Sequence, residues 1–93
     1  MATKRAKCEH LEAFDPDTKK MAKAYECETC VQIGDSWVHL RTCQACGVTL
    51  CCDSSPNKHA SKHFQDHGHA VITSAEPNEN WAWCYQDRTF LKF

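Results

Sequence analysis

The sequence predicts a small α+β domain, a twisted antiparallel sheet packed with one main helix and a second short helix, on three observations. Short stretches rich in β-branched and aromatic residues recur at Trp37–Arg41, Val48–Leu50, Ala70–Ile72 and Trp81–Tyr85, as half-buried strands do. Ser54, Ser55 and Pro56 announce a helix, and Gly68 stands where its end is expected, because proline suits a first helical turn and glycine a last one. Eight cysteines and six histidines crowd a chain of 93 residues. In a domain this small, burial alone seldom gives more than about 3–5 kcal/mol, so cross-links or metals are expected to supply the rest.

Taken in order, residues 1–7 read as a disordered tail and residues 8–93 as one domain. Phe14–Ala24 reads as the short helix, with Asp15 as cap and Pro16 in its first turn. A turn at Gly34 and Asp35 leads into the Trp37–Arg41 strand, whose partner is Val48–Leu50 across the Cys43–Gly47 knuckle. The main helix is expected over Pro56–Asp66, with His59 and His63 one turn apart on one face. Ala70–Ile72 is a short strand and Glu76–Asn78 a loop. In Trp81–Tyr85 the period-two alternation puts Trp81, Trp83 and Tyr85 on one side and Ala82 with Cys84 on the other.

Composition excludes several classes. The basic start, Lys4, Arg5 and Lys7, is followed by no apolar segment of signal-peptide type, and no run approaches a membrane span. A cytoplasmic, reducing setting follows, in which zinc thiolates are favoured over disulfides. Eleven Lys plus Arg against twelve Asp plus Glu give a net charge of -1, without the basic stripe that neutralises phosphates. No nucleic-acid, membrane or oligomeric partner is expected. Catalysis is not expected either, since no HExxH-like pair accompanies an open metal position.

Two CxxC pairs, Cys27 with Cys30 and Cys43 with Cys46, followed by His59 and His63, are strong zinc grammar, because Zn²⁺ takes four soft ligands and a short loop presents two together. Spacing alone admits several wirings. Cys43, Cys46, His59 and His63 match a two-Cys, two-His nucleic-acid finger, an alternative that leaves Cys27, Cys30, Cys51 and His69 without work. Cys27, Cys30, Cys43 and Cys46 would make a four-Cys ribbon, with a twelve-residue gap shorter than the usual pattern.

From Cys8 to Phe90 the chain resembles the UBP-type zinc finger, in particular its short stand-alone bacterial-type versions. The matching residues are Cys8 and His10 as CxH, both CxxC pairs, Cys51, His59, His63, His69, and the closing Trp83, Cys84, Tyr85. The resemblance implies one zinc on Cys27, Cys30, Cys51 and His59, and a second on Cys43, Cys46, His63 and His69. A third site would use Cys8, His10, Cys84 and Asp87, the last standing where the family has a cysteine.

The resemblance also implies a protein-interaction module with a pocket for a C-terminal tail, which in the family is that of ubiquitin. Trp83 and Tyr85 match its aromatics, Phe90 stands where a later tyrosine would be, and Trp37 resembles the tryptophan before the second CxxC. Asp53 replaces the arginine of the ubiquitin binders, and an acid there repels a carboxylate. The expected partner is therefore a different peptide or protein tail, with Arg41 or Arg88 as the compensating cation. Cys52 is expected to be a buried thiol, and His39 and His67 structural or solvent-facing.

Overall fold

The structure is a computed structural model that describes residues 8–93; the tail expected over residues 1–7 lies outside the described residues. Strands β1 (Leu40–Cys43), β2 (Thr49–Cys51), β3 (Val71–Ser74), β4 (Trp81–Cys84) and β5 (Thr89–Lys92) form one antiparallel sheet in the order β2-β1-β3-β4-β5. The main helix is α3 (His59–His67), joined by two short helices, α1 (Glu9–Glu12) and α2 (Glu28–Ile33). This is the α+β class that the sequence predicts.

Several element boundaries differ from the expectation. The helix expected over Phe14–Ala24 is only a 3-10 turn at Pro16–Thr18. Asp15 does cap it, accepting from the Asp17 N–H at 2.9 Å. Helix growth stops because the Gln44 side chain takes both backbone groups of Lys20, accepting its N–H at 2.8 Å and donating to its carbonyl at 3.1 Å. The short helix lies instead at Glu28–Ile33, where the Cys27 sulfur serves as the N-cap by accepting from the Cys30 N–H at 3.3 Å.

Helix α3 begins at His59, not Pro56, because Lys58 adopts a left-handed conformation (φ 50°). Ser55, expected as part of the capping signal, is buried and its hydroxyl accepts from the Val38 N–H at 2.8 Å. It ties the loop before α3 to the approach to β1. Strand β1 accordingly starts at Leu40 and not at Trp37. Strand β5 has no counterpart in the sequence reading, since the turn Tyr85–Arg88 before it contains neither glycine nor proline and places Arg88 at φ 54°.

Cysteine supplies five of the eleven residues in the two buried clusters of the interior. Cys27, Cys30, Leu40, Leu50, Cys51 and Ala60 form one buried cluster, and Cys8, Leu11, Ala70, Ala82 and Cys84 a second. The sheet face through Thr42, Thr49 and Thr73 is polar, with the hydroxyls of Thr42 and Thr49 3.1 Å apart. Leu11, Leu40, Leu50 and Ile72 are the only fully buried Leu, Ile or Val among the described residues. Ordering a chain costs about 1–2 kcal/mol per residue in backbone entropy, so this modest apolar content leaves the cysteine clusters to hold the fold.

Gly68 closes α3 in the left-handed region (φ 71°), and its N–H reaches the Phe64 carbonyl at 2.7 Å. A Cβ added there would meet nothing within 4 Å. Gly68→Ala is therefore expected to cost only the backbone penalty, about 1–2 kcal/mol. The denaturation midpoint of the metal-loaded protein measures it, and a much larger loss would indicate a packing role.

Candidate metal centres and the aromatic groove

Three clusters of ligand-type side chains gather in the structure, each with its four donor atoms within 4.8 Å of one another. Cys27, Cys30, Cys51 and His59 form the first, Cys43, Cys46, His63 and His69 the second, and Cys8, His10, Cys84 and Asp87 the third. His59 and His63 therefore belong to different clusters. This excludes the single-finger set Cys43, Cys46, His59 and His63, and equally the four-Cys ribbon, as arrangements of these side chains.

The local chain explains the split. Cys27 and Cys30 flank the first turn of α2, while Cys43 and Cys46 occupy the turn between β1 and β2, closed by the Gly47 N–H on the Cys43 carbonyl at 2.8 Å. His59 and His63 project from one side of α3, but by different ring atoms. His59 offers Nδ1, near its own backbone, at 3.5, 3.4 and 3.4 Å from the sulfurs of Cys27, Cys30 and Cys51. His63 offers the more distant Nε2, at 3.5 Å from the Cys46 sulfur and 3.1 Å from His69 Nδ1.

The spacings of the first two clusters match a tetrahedral zinc site. With Zn–S near 2.3 Å and Zn–N near 2.0 Å, a tetrahedron has S···N edges of about 3.5 Å and S···S edges of about 3.8 Å. The first cluster has S···N separations of 3.4–3.5 Å and a Cys30–Cys51 separation of 3.9 Å. In the second, Cys43 stands 3.6 Å from His69 Nδ1. In the third, Asp87 Oδ2 is 3.0 Å from both Cys8 Sγ and His10 Nδ1 and 3.8 Å from Cys84 Sγ, and His10 Nδ1 is 3.6 Å from Cys84 Sγ.

Electrostatics points the same way. Burial, reinforced by Cys27, pushes the Cys30 thiol up to about 12, and burial also raises the Cys43 and Cys84 thiols. Such thiols do not ionise together unless a cation compensates them, which a bound metal does by displacing their protons. Burial lowers His59 and His63, keeping both rings neutral with a lone pair free to ligate. Hydrogen bonds with Cys8 and His10 hold the Asp87 carboxyl below its usual range. Backbone N–H groups converge on the sulfurs as well: His59 on Cys51 at 3.2 Å, Ala45 on Cys43 at 3.4 Å and Asp87 on Cys84 at 3.5 Å. These donors fix the ligand orientation from outside the first coordination sphere.

On the sheet face away from Cys84 lies a groove. A cleft of about 240 Å³ is lined by Arg41, Cys52, Asp53, Ser54, Ile72, Trp81, Trp83, Tyr85 and Phe90. The register pairs Ile72 with Trp83 and Trp83 with Phe90, so β5 carries Phe90 to the rim, where it is exposed and packs on Trp81 at 5.6 Å between ring centroids. The cleft continues past Asp53, Trp83 and Tyr85 into a second of about 490 Å³, bounded by Ser61, Phe64, Gln65 and Arg88. Tyr85 stacks on Phe64 at 5.4 Å and 17°, which anchors the groove to α3.

Of the residues expected around a tail, Arg41, Asp53, Trp83, Tyr85 and Phe90 do converge here. Trp37 does not line the groove: it packs against the buried cluster of Cys27, Leu40 and Leu50. Strand β1 begins three residues after Trp37, and the indole is used as core. Trp81, Ile72 and Cys52 line the groove without having been singled out for it; the alternation of Trp81 with Trp83 carried the signal for the first. Cys52 is buried, as expected of it. His39 lies 3.8 Å from Glu76, and the His67 ring centroid is 4.7 Å from that of His63.

The Arg41 guanidinium lies over the Trp81 ring at 4.6 Å and donates to the Leu40 carbonyl at 2.9 Å, so it is held at the groove wall. Asp53 accepts from the Ser61 hydroxyl, and no Lys or Arg among the described residues lies within ion-pair distance of it. A larger cleft, about 550 Å³, lies on the other sheet face beside Thr42 and Thr73, with Lys19, Lys20 and Lys23 at its edge. It is lined by none of the residues of the three clusters. No helix among the described residues is long and apolar enough to cross a membrane.

Comparison with known proteins accords with this architecture. The sequence profile of zf-UBP, described as "Zn-finger in ubiquitin-hydrolases and other protein", matches residues 27–93. A search among curated proteins found no match. Among solved structures, the solution NMR structure of protein RPA1320 from Rhodopseudomonas palustris is 40% identical, with a TM-score of 0.80 over 96% of this chain and 84% of that one. Cys8 and His10 precede the stretch matched by the profile, yet the structure draws them to Cys84. With the profile spanning most of its length, the chain belongs to the zf-UBP family of zinc fingers.

Proposed function

We propose that residues 8–93 act as one domain, a cytoplasmic, monomeric binding module without catalytic activity, whose groove takes the C-terminal tail of a peptide or protein. The observation that carries this reading is the convergence of a fixed cation, Arg41, with Trp81, Trp83, Tyr85 and Phe90 in one open trough. Aromatic side chains offer large, rigid contact area to an extended chain, and a guanidinium offers paired donors to a terminal carboxylate. The resemblance to ubiquitin-tail binders supports the same use. Asp53 stands where those binders have arginine, which favours a tail other than that of ubiquitin.

In this reading the zinc ions are structural. One is held by Cys27, Cys30, Cys51 and His59, one by Cys43, Cys46, His63 and His69, and one by Cys8, His10, Cys84 and Asp87. Carboxylate oxygen is an ordinary zinc ligand at about 2.0–2.2 Å, and the Asp87 oxygen lies among the other three donors. Each site is filled by four protein donors, which leaves no position for an activated water.

Native mass spectrometry is expected to find three zinc ions per chain, and two for Asp87→Ala. Retention of three in that variant would remove Asp87 from the ligand set. Tail binding is checked by titrating the zinc-loaded protein with peptides bearing a free or an amidated C-terminus. The free acid is expected to shift the signals of Trp83 and Tyr85, and Arg41→Ala to weaken it about 10-fold or more, as for a lost charge-assisted hydrogen bond. Equal binding of acid and amide would contradict the assignment. Ubiquitin with and without its terminal glycines is expected to behave alike.

A further inference from the structure

Resting on that reading, the groove carries a second charge whose use the tail assignment leaves open. Asp53 borders both halves of the trough, and so do Trp83 and Tyr85. The two rings stand nearly perpendicular, 88° apart with centroids at 6.5 Å, and make two walls of a corner that Asp53 shares. One face of Tyr85 is taken by Phe64. One Asp53 oxygen accepts from the Ser61 hydroxyl, which holds the carboxylate in place. No Lys or Arg among the described residues is in ion-pair distance of it beside the two aromatic rings; Arg41 and Arg88 line the clefts that it borders without pairing with it.

A carboxylate and two π-systems around one space form an environment for a cation. Ring quadrupoles attract an ammonium or guanidinium placed over them, and the acid adds a direct ion pair. A second anion is repelled there, so the terminal carboxylate is directed to Arg41, which shares the first cleft with Asp53. The trough thus offers a positive and a negative site joined by the aromatic wall.

We propose that the corner of Asp53, Trp83 and Tyr85 is a cation subsite, so that the tail taken by the groove carries a lysine or arginine side chain upstream of its free carboxylate. An extended protein tail with this charge pair matches both wall charges at once. A tail with an acid in that place meets Asp53 as a like charge.

The test is a register scan on the zinc-loaded protein. A neutral Gly/Ser peptide with a free C-terminus is compared with versions carrying one lysine at each of the four positions upstream of the carboxylate. One register is expected to bind about 5- to 30-fold tighter than the neutral parent, the range of exposed to desolvated cation–π contacts, and glutamate there to bind more weakly than the parent. Asp53→Asn, which still offers Ser61 an acceptor, is expected to bring the ratio of lysine peptide to parent close to one.

If no register gains, or if the gain survives Asp53→Asn, the cation subsite is wrong while tail binding stands. If the neutral free acid binds no better than its amide, the tail reading falls and the cation subsite with it.

Discussion

The constraint on which the rest of this structure depends is that one helix serves two ligand clusters. Helix α3 places His59 among the sulfurs of Cys27, Cys30 and Cys51, and His63 with Cys43, Cys46 and His69. Rings four residues apart lie on the same helix face, so the separation comes from which nitrogen each ring presents: the near Nδ1 of His59 and the far Nε2 of His63. Neither cluster can form in the proposed tetrahedral geometry unless α3 is docked, and α3 is held by both. The apparent binding energy of a structural zinc, about 10–16 kcal/mol in zinc-finger peptides at neutral pH, exceeds what the few buried leucines can supply. Packing and metal binding are in this sense a single event.

The same logic connects the metals to the groove. Strand β4 alternates, so turning Cys84 toward Cys8 and His10 leaves Trp83 on the opposite face. Tyr85, next in the chain, sends its N–H to the Ala70 carbonyl at 2.9 Å and its ring onto Phe64 of α3. Cys51 acts similarly at the other wall, since a ligand there delivers Cys52 and Asp53 to the groove. Arg41, Cys52, Asp53, Trp83 and Tyr85 are thus each one or two residues from a cluster donor, so the clusters brace these groove walls without a large apolar core behind them.

Much of this was legible in the sequence because the signals were local. The CxxC spacings, the glycine that ends α3 and the alternation of Trp81 to Tyr85 each depend on neighbours in the chain. What could not be read were features decided by contacts distant in sequence. Gln44 seizes the backbone of Lys20 from twenty-four residues away and cancels a plausible helix. Ser55 spends its hydroxyl on Val38 instead of capping α3. Trp37 looks like a groove residue by its place before a CxxC, but the strand starts at Leu40 and the indole packs inward. Strand β5 follows a turn without glycine or proline, so only its pairing with β4 reveals it. The division of the histidines between clusters came from family resemblance, since spacing alone also fitted a single finger.

The most direct test of the claim that metal clusters hold both fold and groove is the amide correlation spectrum of the protein before and after a strong chelator. Loss of dispersion throughout residues 8–93, including Trp83 and Tyr85, together with recovery on adding zinc back, is the predicted result. A native-like, dispersed spectrum that persists with the metal removed would contradict it.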